Sequence, residues 1–143
     1  MLEELKDLNS SSTFKAWMTL LNGGIPYETI TKEMLINGLC EDLAYYLHVK
    51  YGVRIINISG TFKTIRHGLA PAFGHCCILD QQDRYFDGYN VEGVSDINEL
   101  HWVKEIQSSF EHMNIIFKER ELDIKCSRYS KYRYDLLEIL KGG

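Results

Sequence analysis

The chain has 143 residues, 45% hydrophobic and 25% charged, with a net charge of −4 at pH 7. This is the composition of one ordinary globular domain, spanning 1–143, with enough residues to bury a core. The acidic balance excludes a general drive toward nucleic acid or anionic membrane, and no apolar run approaches the length of a bilayer span.

In chain order, Leu2, Leu5 and Leu8 predict a short first helix, and the run Ser10 to Thr13 offers a cap for a second. Phe14, Trp17, Leu20 and Leu21 recur at helical spacing until Asn22-Gly23-Gly24 ends the run. Thr31 to Ile36 predicts one or two turns, interrupted by Asn37-Gly38. Leu39, Leu43 and Leu47 then lay an apolar stripe along a helix closing near Gly52. Val53 to Ser59 is β-branched and predicts a strand, Thr61 to Pro71 a loop, and Phe73 to Leu79 a second strand. A turn at Asp80 to Asp83 leads into a third strand over Arg84 to Asp87. Gly88 to Gly93 reads as a loop, Ile97 to Val103 as a helix capped by Ser95 or Asp96, Asn114 to Lys118 as a strand and Tyr134 to Leu140 as a last helix. Helices first and mostly antiparallel strands after them define an α+β domain.

Three residues in this frame carry chemistry. Cys40 falls in the first helical turn, where unpaired N–H groups and the positive dipole end favour a thiolate. Asn37 is expected to cap that helix and to offer an oxyanion donor beside the Cys40 N–H. His75 lies among apolar residues in a strand, sharing a face with Phe73, Cys77 and Leu79, and its ring nitrogens need partners. Asp87 closes the next strand. An odd-length connection would put His75 and Asp87 directly opposite each other, close enough for a hydrogen bond. The bland alternatives are a buried core cysteine and a histidine bonded to backbone, with Asp80 and Asp83 as solvated turn acids.

The stretch Gly38-Leu39-Cys40-Glu41-Asp42-Leu43-Ala44, the strand ending at Gly60, then His75 and Asp87, resembles the core of the transglutaminase-like superfamily, within the wider papain-like cysteine enzymes. The resemblance runs from Asn37 to Gly88. It implies a nucleophile helix packed on a small antiparallel sheet, with Cys40 as nucleophile, His75 as base and Asp87 as orienting acid. It also implies a cysteine-dependent hydrolase or acyltransferase, without cofactor, acting through a thioester on a protein, peptide or small amide. Two features depart from the pattern: Cys77 stands where many members carry an aromatic residue, and the papain signature around the cysteine is absent.

The remaining features point elsewhere only weakly. Cys40, His75, Cys76, Cys77 and Cys126 lack zinc-ligand spacing, so no metal is expected. A bridge between the adjacent Cys76 and Cys77 is disfavoured, because neighbouring strand residues point to opposite faces. His67 is a second candidate base. Lys125, Arg128, Lys131 and Arg133 interleave with tyrosines in a pattern that can bind nucleic acid, against the acidic balance of the whole. Gly142-Gly143 resembles a ligatable tail, with a frayed terminus as the simpler expectation. Met1 to Leu5 lacks the cationic start of a secretory signal, so a cytoplasmic chain with reduced thiols is the expectation. A non-catalytic module using the cleft near Cys40 to hold a peptide or small ligand is the alternative to an enzyme.

Overall fold

The computed structural model describes residues 2–64, 68–109, 115–121 and 131–142. A four-stranded antiparallel sheet, β1 (Arg54–Thr64), β2 (Gly68–Leu79), β3 (Tyr85–Phe86) and β4 (Ile115–Glu121), has the spatial order β3-β2-β1-β4. One face is covered by α1 (Ser12–Leu21), α3 (Cys40–Tyr51) and their neighbours, and the other by α4 (His101–Ser109). The α+β class therefore stands. Among the described residues no helix is long and apolar enough to cross a membrane.

The N-terminal leucines form a kinked 3-10 helix, Glu3–Ser10, which buries Leu5 and Leu8. Ser11 caps α1 by accepting the Phe14 N–H at 3.1 Å, and Phe14, Trp17 and Met18 go into the core. The short α2 (Lys32–Ile36) is capped by Thr31, whose hydroxyl accepts the Met34 N–H. In α3 every residue from Asp42 to Leu47 is buried, a wider face than the predicted stripe. The reason is position: α3 lies between the sheet and α1, with α2 alongside. Gly52, at φ 75°, closes α3 by a left-handed turn that a side chain would strain.

Parity along β2 divides the core. Cys76 and Ile78 join the α3 side, whereas Cys77 packs with Ile56, Ile58, Leu100, Trp102 and Val103 on the α4 side. The predicted loop from Thr61 to Pro71 is corrected. β1 runs on to Thr64 and β2 begins at Gly68, with a register shift between Gly60 and Thr61. Pro71 is accommodated there, opposite Thr61, because an irregularity in the ladder relieves the need for its missing N–H. The predicted helix over Ile97 to Val103 is two pieces: a 3-10 turn at Ile97–Glu99, capped by Asp96, and α4, separated by extended backbone at Leu100. The last helix, α5, runs Arg133–Gly142 and packs on α1.

Candidate active site

Asp87 follows β3 directly. Its Oδ2 accepts a hydrogen bond from His75 Nε2 at 2.9 Å, and both side chains are almost wholly buried, at 1% and 0% exposed. The second oxygen, Oδ1, accepts the backbone N–H groups of Tyr89 at 3.0 Å and Asn90 at 2.6 Å. Burial pushes the Asp87 carboxyl up, but the His75 bond and the two amides outweigh it and hold the group below its usual range. The carboxylate thus has acceptor duties on both oxygens and a fixed orientation.

The register of this pair differs from the expected direct pairing. Ile78 faces Phe86 and Leu79 faces Tyr85, so His75 and Asp87 share a face as a diagonal pair. The cause is Asp80, which is buried rather than solvated. Its Oδ1 accepts the N–H groups of Gln82 and Arg84, both at 2.9 Å, and tightens the turn. Asp83 is exposed, as expected, and pairs with Arg54 at 3.1 Å.

The loop carrying Asp87 is seated by Gly88. A Cβ placed there would lie 2.3 Å from the Leu35 Cβ, so the loop meets α2 with no room for a methyl group. Gly88→Ala is expected to cost about 1–3 kcal/mol by overpacking. Gly74→Ala, where nothing lies within 4 Å, should stay within about 0.5 kcal/mol. Urea denaturation of the two variants checks the contrast, and equal stabilities would refute the packing argument.

With Nε2 committed to Asp87, the remaining nitrogen of His75 is Nδ1. It is buried and has no hydrogen-bond partner among the described residues at normal length, while the Cys40 thiol interacts with the ring. Catalytic hydrogen bonds are often long before substrate binds. Burial works against a charge on His75, yet Asp87 and Cys40 raise it to about 9. The Trp102 ring stacks on the imidazole with centroids 5.0 Å apart and planes 16° from parallel.

Cys40 is the first residue of α3 and is half-buried. The neighbouring Cys76 thiol is the main influence lowering the Cys40 thiol, ahead of burial, which opposes it, and His75, which assists. Together they bring Cys40 to about 4. Both shifts favour a thiolate beside an imidazolium at neutral pH.

Asn37 corrects one expectation. It does not cap α3. It ends α2, donating its backbone N–H to Glu33 at 3.0 Å, and Leu39 stands at the α3 N-cap with no side-chain hydrogen bond. Gly38, at φ 130°, turns the chain between the two helices, and the Leu39 N–H bonds back to Met34 at 2.9 Å. The first-turn amides of α3 therefore have no side-chain cap, and the Asn37 side chain is exposed nearby in sequence.

Cys76 and Trp102 are the site residues that the sequence reading passed over. The signal for Cys76 was present: strand parity sends it to the face opposite His75, the face that the Cys40 helix covers. Trp102 carried no local signal. Lys125, Arg128, Cys126, His67, His112 and Gly143 lie outside the described residues. A separate cavity of about 220 Å³, bounded by Leu2, Lys6, Arg84, Phe86 and Glu92 among others, is lined by none of Cys40, His75 and Asp87. No family model, curated protein or solved structure matches this chain.

Proposed function

We propose that this chain is a thiol enzyme with a transglutaminase-like or papain-like core, acting on amide or related acyl bonds of a protein, peptide or small molecule. The observation that carries the reading is the buried His75 Nε2–Asp87 Oδ2 bond at 2.9 Å. It fixes the tautomer that leaves Nδ1 for the Cys40 sulfur. The Cys40 thiolate attacks the acyl carbon, and the developing oxyanion is met by first-turn amides of α3, with the Asn37 side chain as a further donor. His75, already protonated, gives its Nδ1 proton to the departing amine. Water or a second amine then loses a proton to Nδ1 as it attacks the thioester, and the acyl group leaves as acid or as a new amide. Asp87 holds its negative charge throughout and stabilises the imidazolium.

The test is acyl transfer itself. An activated ester should load one acyl group on Cys40, visible by intact mass. A glutamine peptide with a labelled primary amine, or with water alone, should then report transfer or deamidation. Cys40→Ala is expected to lose both signals, with turnover falling by roughly a thousandfold or more. Full turnover in Cys40→Ala would remove the assignment.

A further inference from the structure

We propose that Tyr89, Asn90 and His101 are positioning residues, a clasp that fastens the Asp87 loop to the start of α4 and so fixes how Asp87 receives the His75 hydrogen bond. The inference deepens the acyl reading and rests on it only for the consequence in turnover.

The need for a clasp follows from the sheet. β3 contributes only Tyr85 and Phe86, so Asp87 stands one residue beyond the ladder and takes its orientation from elsewhere. The loop that follows is closed at its base, where Tyr85 and Val94 exchange backbone hydrogen bonds at 2.7 and 2.8 Å. Further along, side chains hold it. The Tyr89 ring stacks on the His101 imidazole, with centroids 3.8 Å apart and planes 10° from parallel. The Asn90 Oδ1 accepts the backbone N–H of His101 at 2.9 Å. The same two loop residues turn their own backbone N–H groups onto Asp87 Oδ1, at 3.0 and 2.6 Å. Each therefore grips α4 with its side chain and the carboxylate with its main chain.

The links close into a circuit. Asp87 Oδ2 accepts from His75 Nε2, and the Trp102 ring stacks on the His75 imidazole. Trp102 is the chain neighbour of His101, which returns to Tyr89 and Asn90. Two consecutive residues of α4 thus hold the two members of the dyad, one each. That helix start is a firm base, because Leu100, Trp102 and Val103 are buried. Glu105, one turn on, pairs with His101 Nε2 at 3.3 Å and restrains its ring. From α2, the Lys32 ammonium lies 5.2 Å from the Tyr89 ring centroid and adds a cation–π attraction. Opening the clasp frees the carboxylate to turn away from Nε2, and a misplacement of about 1 Å is enough to lower a rate by roughly a hundredfold. Tyr89 is 38% exposed and the His101 side chain 33%, so the clasp lies at the surface while the bond it governs is buried.

The experiment follows the His75 ring by nitrogen-15 NMR of the full chain, its signals assigned by their loss in His75→Gln. Asp87 and Cys40 are the ionisable groups that act on this ring, so its titration reports where the carboxylate lies. Tyr89→Ala removes the stack, and Asn90→Leu removes the acceptor at similar size. Each is expected to lower the His75 titration midpoint by about one pH unit and, above that midpoint, to replace a single Nε2–H tautomer by a mixture. Tyr89→Phe keeps the ring and should restore the midpoint of the unsubstituted chain. If Tyr89→Ala fails to fold by circular dichroism, Asn90→Leu carries the test. An unmoved midpoint in the folded variants overturns the proposal, and so does a fall that Tyr89→Phe leaves unreversed. Acyl transfer, measured alongside, should drop by about tenfold to a hundredfold in Tyr89→Ala. Acyl transfer in the unsubstituted chain, with variants that keep its midpoint and its turnover, ends the clasp alone. A chain without acyl transfer whose midpoint still falls in Tyr89→Ala ends the enzyme alone and supports the clasp.

Discussion

Alkylation of Cys40 by iodoacetamide is expected to reach its plateau by about pH 5, because the thiol is brought to about 4 and its partner His75 to about 9. His75→Ala combined with Cys76→Ala removes both groups that lower the thiol, and its apparent pKa should climb toward the free value of roughly 8.5. Two effects then oppose each other. The thiolate fraction at pH 5 falls by roughly three orders of magnitude, but a more basic thiolate is intrinsically more nucleophilic, recovering roughly two of them. The net expectation is that the unsubstituted chain reacts about tenfold or more faster at pH 5, the curves cross between about pH 6 and 7, and the variant is the faster one at pH 9. The crossing is the diagnostic, since a merely unfolded variant would show an ordinary thiol in every accessible cysteine. Asp87→Asn keeps the shape and removes the charge that raises His75, so the upper limb of the ion pair should move down from about 9. Superimposable profiles for all three proteins would refute the ion pair.

The second large effect lies at the N-terminus. Glu4 is 12% exposed and accepts hydrogen bonds from Ser11 and Tyr46 on Oε2, and from Lys50 and Tyr51, both at 2.7 Å, on Oε1. Three of those donors belong to α3, so one carboxylate fastens the first 3-10 helix to the helix that begins with Cys40. Burial alone would raise the Glu4 carboxyl, but Lys50, Ser11 and the two tyrosines bring it from 4.5 down to about 2. A depressed carboxylate contributes its stability above the unfolded value and loses it as pH falls. The contribution is complete above about 4.5, shrinks between 4.5 and 2, and is gone below about 2. Its size is about 3 kcal/mol, equivalent to roughly 10 °C in melting temperature for a chain of this length. Glu4→Ala is expected to lose that much at pH 7, and the gap between the two melting curves should close as the buffer is taken from pH 5 toward pH 2. A gap independent of pH would mean that packing, not the charge, holds the N-terminus.

The elements whose periodicity is local were readable from the residues alone. The spacing of Phe14 and Trp17, the cap at Ser11, and the alternation from His75 to Leu79 all match structured segments. Even the shared face of His75 and Asp87 follows from strand parity. What escaped depends on partners far apart in the chain. The β1–β2 hairpin continues past Gly60 because backbone pairing outweighs a local sequence that reads as loop, with Pro71 admitted at the register shift. The diagonal offset of His75 and Asp87 is set by the buried Asp80 turn, which composition alone makes look solvated. Glu4 gave no sign of its role, because its donors Tyr46, Lys50 and Tyr51 come from another element.

The order of the sheet has a consequence for self-association. Its two outer members are β3, with only Tyr85 and Phe86 in the ladder, and β4, which ends in the exposed series Lys118, Glu119, Arg120 and Glu121. One border is too short to template a foreign strand. The other presents alternating charge, which a second copy could cover only by desolvating four ionised groups. Among the described residues both margins thus oppose growth by edge-to-edge stacking, and the long β1–β2 pairing is enclosed in the middle of the sheet.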